Sequence, residues 1–268
     1  MPTEQSSVAP GQFRRRLLDK QHLVGTFVKT PTIHAIEILG DVGFDFVVID
    51  EEHAPFDRAA TDAALFAARA AGTAGFVRVL NTSPGHILSV LDCGATGILA
   101  PHVASARHAR DVAAACRYRN GKRGYSGSPR SARYGGSAMW DTVDALDAAT
   151  TVIAQIEDPE ALDEIDAIAA VDGIDGLFIG RGDLAVAMGA PSSDAPAVRA
   201  AVVRIAEAAQ RAGKPICVFA AGTKEAAWLK EMGATAFVVS SDQGFMRRAA
   251  AQAVQEIGAL ADDRRKAS

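Results

Sequence analysis

Four groups of residues in this chain have the types and the placement for chemistry: Asp50-Glu51-Glu52-His53, Arg78, Gln155-Ile156-Glu157 and Gly180-Arg181-Gly182-Asp183. Each lies where a short run of Val, Ile, Phe, Leu and Ala ends, so charge gathers at the tips of apolar segments. Glu157 and Asp183 stand close to one strand-plus-helix repeat apart, which sets two carboxylates side by side on a parallel sheet. Unshielded they would repel, and a hard divalent cation removes that repulsion while taking oxygen ligands. Two protein carboxylates leave positions for water and substrate oxygens, as suits Mg²⁺, Mn²⁺ or Co²⁺. The competing assignment is structural, with Asp183 capping a short helix and Glu157 in a first turn. His53 has the chemistry of a general base if Asp50 or Glu52 holds one ring nitrogen and leaves the other free. Arg78, at the end of Phe-Val-Arg-Val, can bind a carboxylate or stabilise an oxyanion, and can equally pair with Asp50 or Glu52. Gly180–Asp183 leads into a short helical stretch whose backbone N–H groups can receive a substrate carboxylate.

Other side chains carry less. Lys29 is the lone lysine at the C-terminal end of an expected strand, and none occupies a central buried strand position. That argues against a Schiff-base mechanism, which needs a desolvated amine. His22, His34, His86 and His108 fall on expected helices or their leads and read as solvated. Pro101-His102 follows the fourth apolar run without an assigned role. Ala220-Ala221-Gly222-Thr223 is less Gly-rich than a sugar-phosphate cradle requires.

The elements that must position these groups repeat: an Ala-rich amphipathic helix, a Gly that suits a left-handed helix end, then a continuous apolar run. The pattern predicts strands near 25–28, 44–49, 75–79, 97–100, 151–156, 176–179, 215–219 and 236–239. Helices are expected near 31–40, 57–71, 85–92, 103–118, 159–170, 195–212, 223–232 and 243–261. Eight such units in one chain predict an α/β fold, a closed (β/α)8 barrel, with catalytic groups at the C-terminal strand ends. No GxGxxG follows the first strand to favour an open doubly wound sheet. Residues 117–141, rich in Gly, Ser and Arg, break the rhythm. They read either as a flexible basic surface loop or as an ordered arm whose Arg123 or Tyr125 reaches another subunit.

Composition narrows the class. The 268 residues are 49% hydrophobic and 22% charged with a net charge of −4, which excludes a largely disordered chain and disfavours a nucleic-acid partner. No apolar run is long enough to span a bilayer, and the N-terminal residues lack a signal-peptide plan. Cys93, Cys116 and Cys217 have no CxxC spacing and read as buried small hydrophobes of a reducing compartment. A cytoplasmic, single-domain protein acting on small molecules is expected, with residues 1–20 as an N-terminal extension or helix.

Taken together, Gly43 to Pro55, Val77-Arg78-Val79, Gln155-Ile156-Glu157 and Phe178 to Leu184 resemble the HpcH/HpaI aldolases. These are metal-dependent class II enzymes acting on pyruvate-derived 4-hydroxy-2-oxo acids, and the likeness spans about Gly25 to Leu260. It implies a barrel of the phosphoenolpyruvate/pyruvate type, assembled as a homo-oligomer, trimer or hexamer, with the last helix exchanged between subunits. It also implies a metal on Glu157 and Asp183, a base pair of His53 with Asp50, and Arg78 on the oxo group. By the same resemblance Gln155 lines the site, and the Gly182 and Asp183 amides cradle the pyruvate carboxylate. Departures fall at Arg181, where the family often has Pro, at Glu51, where Gly is common, and at Phe27, where some members carry Trp. Arg181 is expected to add a cation near that cradle, and Glu51 to add negative charge beside His53. Rival readings are a lyase acting on a coenzyme A thioester, a sugar-phosphate isomerase, and a non-catalytic 2-oxo-acid binding protein.

Overall fold

A computed structural model describes residues 10–266. The first nine residues of the expected N-terminal extension lie outside the described residues. Eight parallel strands close on themselves in sequence order: β1 (Leu23–Val28), β2 (Phe46–Asp50), β3 (Ala74–Arg78), β4 (Gly97–Ala100), β5 (Thr151–Ile156), β6 (Gly176–Ile179), β7 (Ile216–Phe219) and β8 (Ala234–Ser241). The expected barrel is therefore present. Its helices are α1 (Pro10–Leu18), α2 (Ile33–Asp41), α3 (Arg58–Ala70), α4 (Pro84–Asp92), α5 (Ala106–Cys116), α6 (Met139–Ala149), α7 (Ile165–Ala169), α8 (Arg181–Ala187), α9 (Pro196–Arg211), α10 (Thr223–Glu231) and α11 (Asp242–Lys266). The glycine ending a helix has the left-handed backbone the repeat calls for, with φ +95° at Gly43 and +96° at Gly94. Strand β2 starts at Phe46 because Asp45 is spent on the turn before it: its carboxylate accepts the Val24 N–H and pairs with Arg16.

Strand parity divides the core in two. Val47, Ile49, Val77, Ile98, Val152 and Ile179 pack outward against the helices. Leu23, Phe27, Phe46, Val48, Phe76, Leu99, Ile153 and Phe178 fill the barrel interior. α1 closes the bottom: Phe13 and Leu17 are fully buried, and the Phe13 ring stands edge-on to Phe46 and Phe76 at 5.4 and 4.8 Å. Burial on this scale contributes roughly 1.5–3 kcal/mol per side chain. At the seam where β8 meets β1, Asp242 accepts the backbone N–H groups of Lys29 and Thr30 at 2.8 and 3.0 Å.

The 117–141 segment runs over the surface with little regular structure, and its Tyr125 is exposed. It includes a 3-10 turn at Arg130–Gly135 and runs straight into α6. Four of its five arginines pair with acids within the chain, Arg117 with Asp175, Arg119 with Asp144, Arg123 with Asp92 and Arg130 with Asp62. Arg123 is buried over the Tyr118 ring, so it does not extend toward another molecule. By contrast α11 leaves the barrel with Met246, Val254 and Ile257 exposed.

Candidate active site

The inward parity that fills the barrel with apolar groups continues, one residue pair higher, as polar ones. Phe46 and Val48 lead to Asp50, Ala74 and Phe76 lead to Arg78, and Ile153 leads to Gln155 and then Glu157. The β2–β3 register sets Asp50 directly beside Arg78. The Arg78 Nε and Nη2 groups donate to the two Asp50 oxygens at 2.9 and 2.8 Å, and Lys29 Nζ stands 3.0 Å from the same carboxylate. Asp50 is fully buried. Burial pushes its carboxyl up, but Arg78 and Lys29 outweigh that and hold it below its ordinary value. Arg78 lies over the Phe27 ring, 4.7 Å from its centroid.

This arrangement corrects one expectation. Asp50 accepts the backbone N–H of His53 at 3.2 Å, not a ring nitrogen, because its oxygens are committed to Arg78 and Lys29. The acid nearest the His53 ring is Glu52, whose Oε2 is 3.8 Å from Nε2, and the ring is 55% exposed. Glu51 is not beside His53 either. It points down between α3 and α4, accepting from the Thr61 hydroxyl at 2.6 Å and lying 2.7 Å from His86 Nε2. His86, expected in solvent, thus ties the turn after β2 to α4.

Glu157 is 2% exposed and central. Its Oε1 accepts the His102 backbone N–H at 2.8 Å, and its Oε2 accepts from Gln155 Nε2. Burial, with the Asp183 charge adding to it, pushes its carboxyl up to about 7 against the pull of Gln155 and His102. Asp183 lies in the first turn of α8. A buried acid whose charged form is disfavoured, with Glu52 and His102 beside it and the Asp183 charge near enough to act on it, forms a donor set that fits a divalent cation. His102 was not singled out by sequence, since nothing in Pro101-His102 marks its backbone. Its φ is +55°, and one ligand atom each from Glu52, His102 and Glu157 lie within 4.8 Å of one another.

Beside Glu157 opens a cavity of about 270 Å³ lined by Phe27, Arg78, Gln155, Phe178, Ile179, Gly180, Arg181, Gly182, Asp183, Ser193, Phe219, Ala221 and Glu225. Seven residues selected from sequence meet there. Asp50 lies behind Arg78, and His53 stands at the rim. Arg181 is buried and paired with Glu225, so the extra cation beside the glycines is neutralised within the chain. A wider cleft of about 800 Å³ opens beside the C-terminal ends of α5 and α7, away from these strand ends, and its Arg14 and Arg117 are spent on Asp175.

The two glycines here differ. A Cβ at Gly180 would meet Glu157 Cβ at 2.6 Å and Oε2 at 3.0 Å, whereas one at Gly182 would meet nothing. Gly180→Ala is therefore expected to cost about 1–3 kcal/mol in stability and to weaken Mn²⁺ binding by displacing Glu157. Gly182→Ala should leave both unchanged; thermal melts and Mn²⁺ titrations of the pair check this.

Residues 23–249 match the family described as HpcH/HpaI aldolase/citrate lyase. The chain belongs to that family. HpcH/HpaI membership makes it a carbon–carbon lyase of the aldolase type, and its relatives agree. It is 35% identical over 246 residues to the 5-keto-4-deoxy-D-glucarate aldolase of Escherichia coli, covering 91% of this chain and 95% of that one. Among solved structures it is similar to an HpcH/HpaI aldolase/citrate lyase family protein from Burkholderia cenocepacia J2315, at 32% identity and a TM-score of 0.88 over 92% of this chain and 99% of the other. The citrate synthase SbnG superposes with a TM-score of 0.84 at 28% identity, over 93% and 98% of the two chains.

Proposed function

We propose that this chain is a divalent-metal-dependent class II aldolase. It splits the C3–C4 bond of a 4-hydroxy-2-oxo acid reversibly, giving pyruvate or a close 2-oxo acid and an aldehyde. The observation that carries the reading is the buried Glu157 packed against Gly180, which with Arg78, Gln155 and Asp183 lines a small cavity. Kinship with the 5-keto-4-deoxy-D-glucarate aldolase supports it.

Glu157 and Asp183 would hold the cation, Mg²⁺, Mn²⁺ or Co²⁺. When bound, it supplies Lewis acidity that lowers the cost of negative charge at the 2-oxo oxygen. The chain's own groups do the rest. The Gly182 and Asp183 backbone amides and the Gln155 side chain orient the carboxylate end of the substrate. Arg78, pinned by Asp50 so that its guanidinium cannot swing, sets a fixed positive charge where the oxo oxygen becomes an enolate oxygen. His53 takes the 4-hydroxyl proton, with Glu52 rather than Asp50 as the nearest acid to its ring. As the C3–C4 pair moves to C3 the aldehyde departs, and a proton delivered to C3 completes pyruvate. Lys29 stays out of the covalent chemistry, because its ammonium is committed to Asp50.

The likeness to a citrate synthase favours a second reading, a carbon–carbon lyase or synthase of the citrate or coenzyme A thioester type. A cavity of about 270 Å³ suits a small acid better than a thioester carrier. The apolar residues left exposed on α11 support its exchange between subunits in a trimer or hexamer, and the composition supports a cytoplasmic enzyme. The deciding test needs no choice of aldehyde: α-proton exchange of pyruvate in D₂O, followed by NMR with Mn²⁺ or with EDTA. Exchange that requires the metal is expected; none with any metal, in folded protein, would move the assignment to the thioester reading.

A further inference from the structure

His102 is held in a way that the barrel does not need. Its backbone is left-handed, φ +55°, a conformation that costs a non-glycine residue free energy and persists only where the surroundings impose it. What imposes it is Glu157, which accepts the His102 N–H at 2.8 Å and draws the residue over the rim. The ring is then set by Asp158: Nδ1 lies 3.2 Å from both of its carboxylate oxygens. In the tautomer that carries its proton on Nδ1 and donates it to that carboxylate, Nε2 keeps a lone pair for a cation. Nε2 faces Glu52 Oε1 at 3.4 Å, while Glu157 Oε1 lies 3.5 Å from Nδ1, so the ring stands among three carboxylates. An imidazole that donates one ring N–H to a carboxylate and presents the other nitrogen to acidic oxygens has the arrangement of a metal-ligating histidine.

We propose that His102 supplies a nitrogen ligand to the cation held at Glu157, oriented by Asp158 and accompanied by Glu52. The inference rests on the metal-dependent reading above and goes beyond its two-carboxylate site. An imidazole ligand suits Mn²⁺, Co²⁺ or Zn²⁺ and gains nothing with Mg²⁺, which prefers oxygen donors. His102 thus sets which ion the enzyme prefers, a property that the paired acids alone do not determine.

The test uses the full chain, freed of metal by EDTA and dialysed, then loaded with Mn²⁺ alone. Bound Mn²⁺ is counted by the loss of the free-ion EPR signal, and its ligands are read by ¹⁴N electron spin echo modulation. Wild type is expected to bind Mn²⁺ with a clear ¹⁴N modulation. His102→Gln should still bind, about tenfold more weakly, with that modulation gone, and Asp158→Asn should weaken it. Bound Mn²⁺ without ¹⁴N modulation, or modulation that survives in His102→Gln, overturns the nitrogen ligand while leaving the cation site standing. No bound Mn²⁺ in wild type whose circular dichroism is that of folded protein removes the metal reading itself.

Discussion

Glu157→Gln is expected to lose the metal-dependent exchange of pyruvate protons and about a thousandfold or more in kcat/KM for any aldol substrate. The substitution keeps the shape and the hydrogen bond from His102 but removes the charge that a cation requires. Lewis-acid stabilisation of a developing enolate is worth several kcal/mol, and each 1.36 kcal/mol is tenfold in rate. The fold should not suffer. A carboxyl pushed up to about 7 is one whose charge the folded protein disfavours. In metal-free protein its contribution therefore falls as pH rises from the unfolded value toward 7, where the unfolded state binds fewer protons than the native one. Metal-free Glu157→Gln should accordingly unfold at or above the wild-type temperature at pH 8. Proton and cation compete for the same carboxylate, so wild-type Mn²⁺ affinity should drop as pH falls below about 7. A variant that binds Mn²⁺ as wild type does, or that is plainly less stable, would remove Glu157 from the cation site.

Asp50→Asn has the opposite profile, losing stability and activity together. It leaves Arg78, 7% exposed, with only the longer 3.3 Å contact to Glu52 as counter-charge, and breaking a buried pair from one side costs about 3–5 kcal/mol. The acid limb of stability should change too. A carboxyl held below its ordinary value of 3.8 contributes stability above that pH and loses it as pH falls through the lowered native value. That limb should flatten in the variant. Pairing the change with Arg78→Gln removes the orphaned cation, so the double variant should recover part of the unfolding temperature in urea or thermal melts while remaining inactive. If Asp50→Asn alone costs nothing, the Asp50–Arg78 pair is not what rigidifies the rim.

The barrel was legible because its signal is repeated. The apolar runs and the glycines after the helices recur through the chain, and the two left-handed glycines at 43 and 94 behave as the pattern requires. The rim residues were legible because strand parity carries them inward with the core side chains below them. Pairing was harder. That Asp50 meets Arg78 and not the His53 ring follows from the β2–β3 register and from the path of the Glu51–Pro55 turn, neither of which residue types specify. In the 117–141 segment four arginines look free in sequence because Asp62, Asp92, Asp144 and Asp175, which pair with them, lie elsewhere along the chain. His102 escaped notice for a similar reason, since its contacts come from the turns after β2 and β5 and its backbone carries no glycine to mark the turn.

Asp242's grip on the Lys29 and Thr30 amides also has a bearing on timing. During synthesis β1 is made before the other seven barrel strands and waits for β8, the last of the eight, before its open edge is covered. Until then the sheet is a curved ribbon with one unpaired border, and contacts this remote along the chain are slow to form. The cavity has no inside while the ribbon is open, because Phe27 from the first strand and Phe219 from the seventh, which line one space, are still held apart. A nascent chain thus has the acids and the arginine without an enclosed chamber. Becoming an enzyme and closing the barrel are, for this protein, nearly one event.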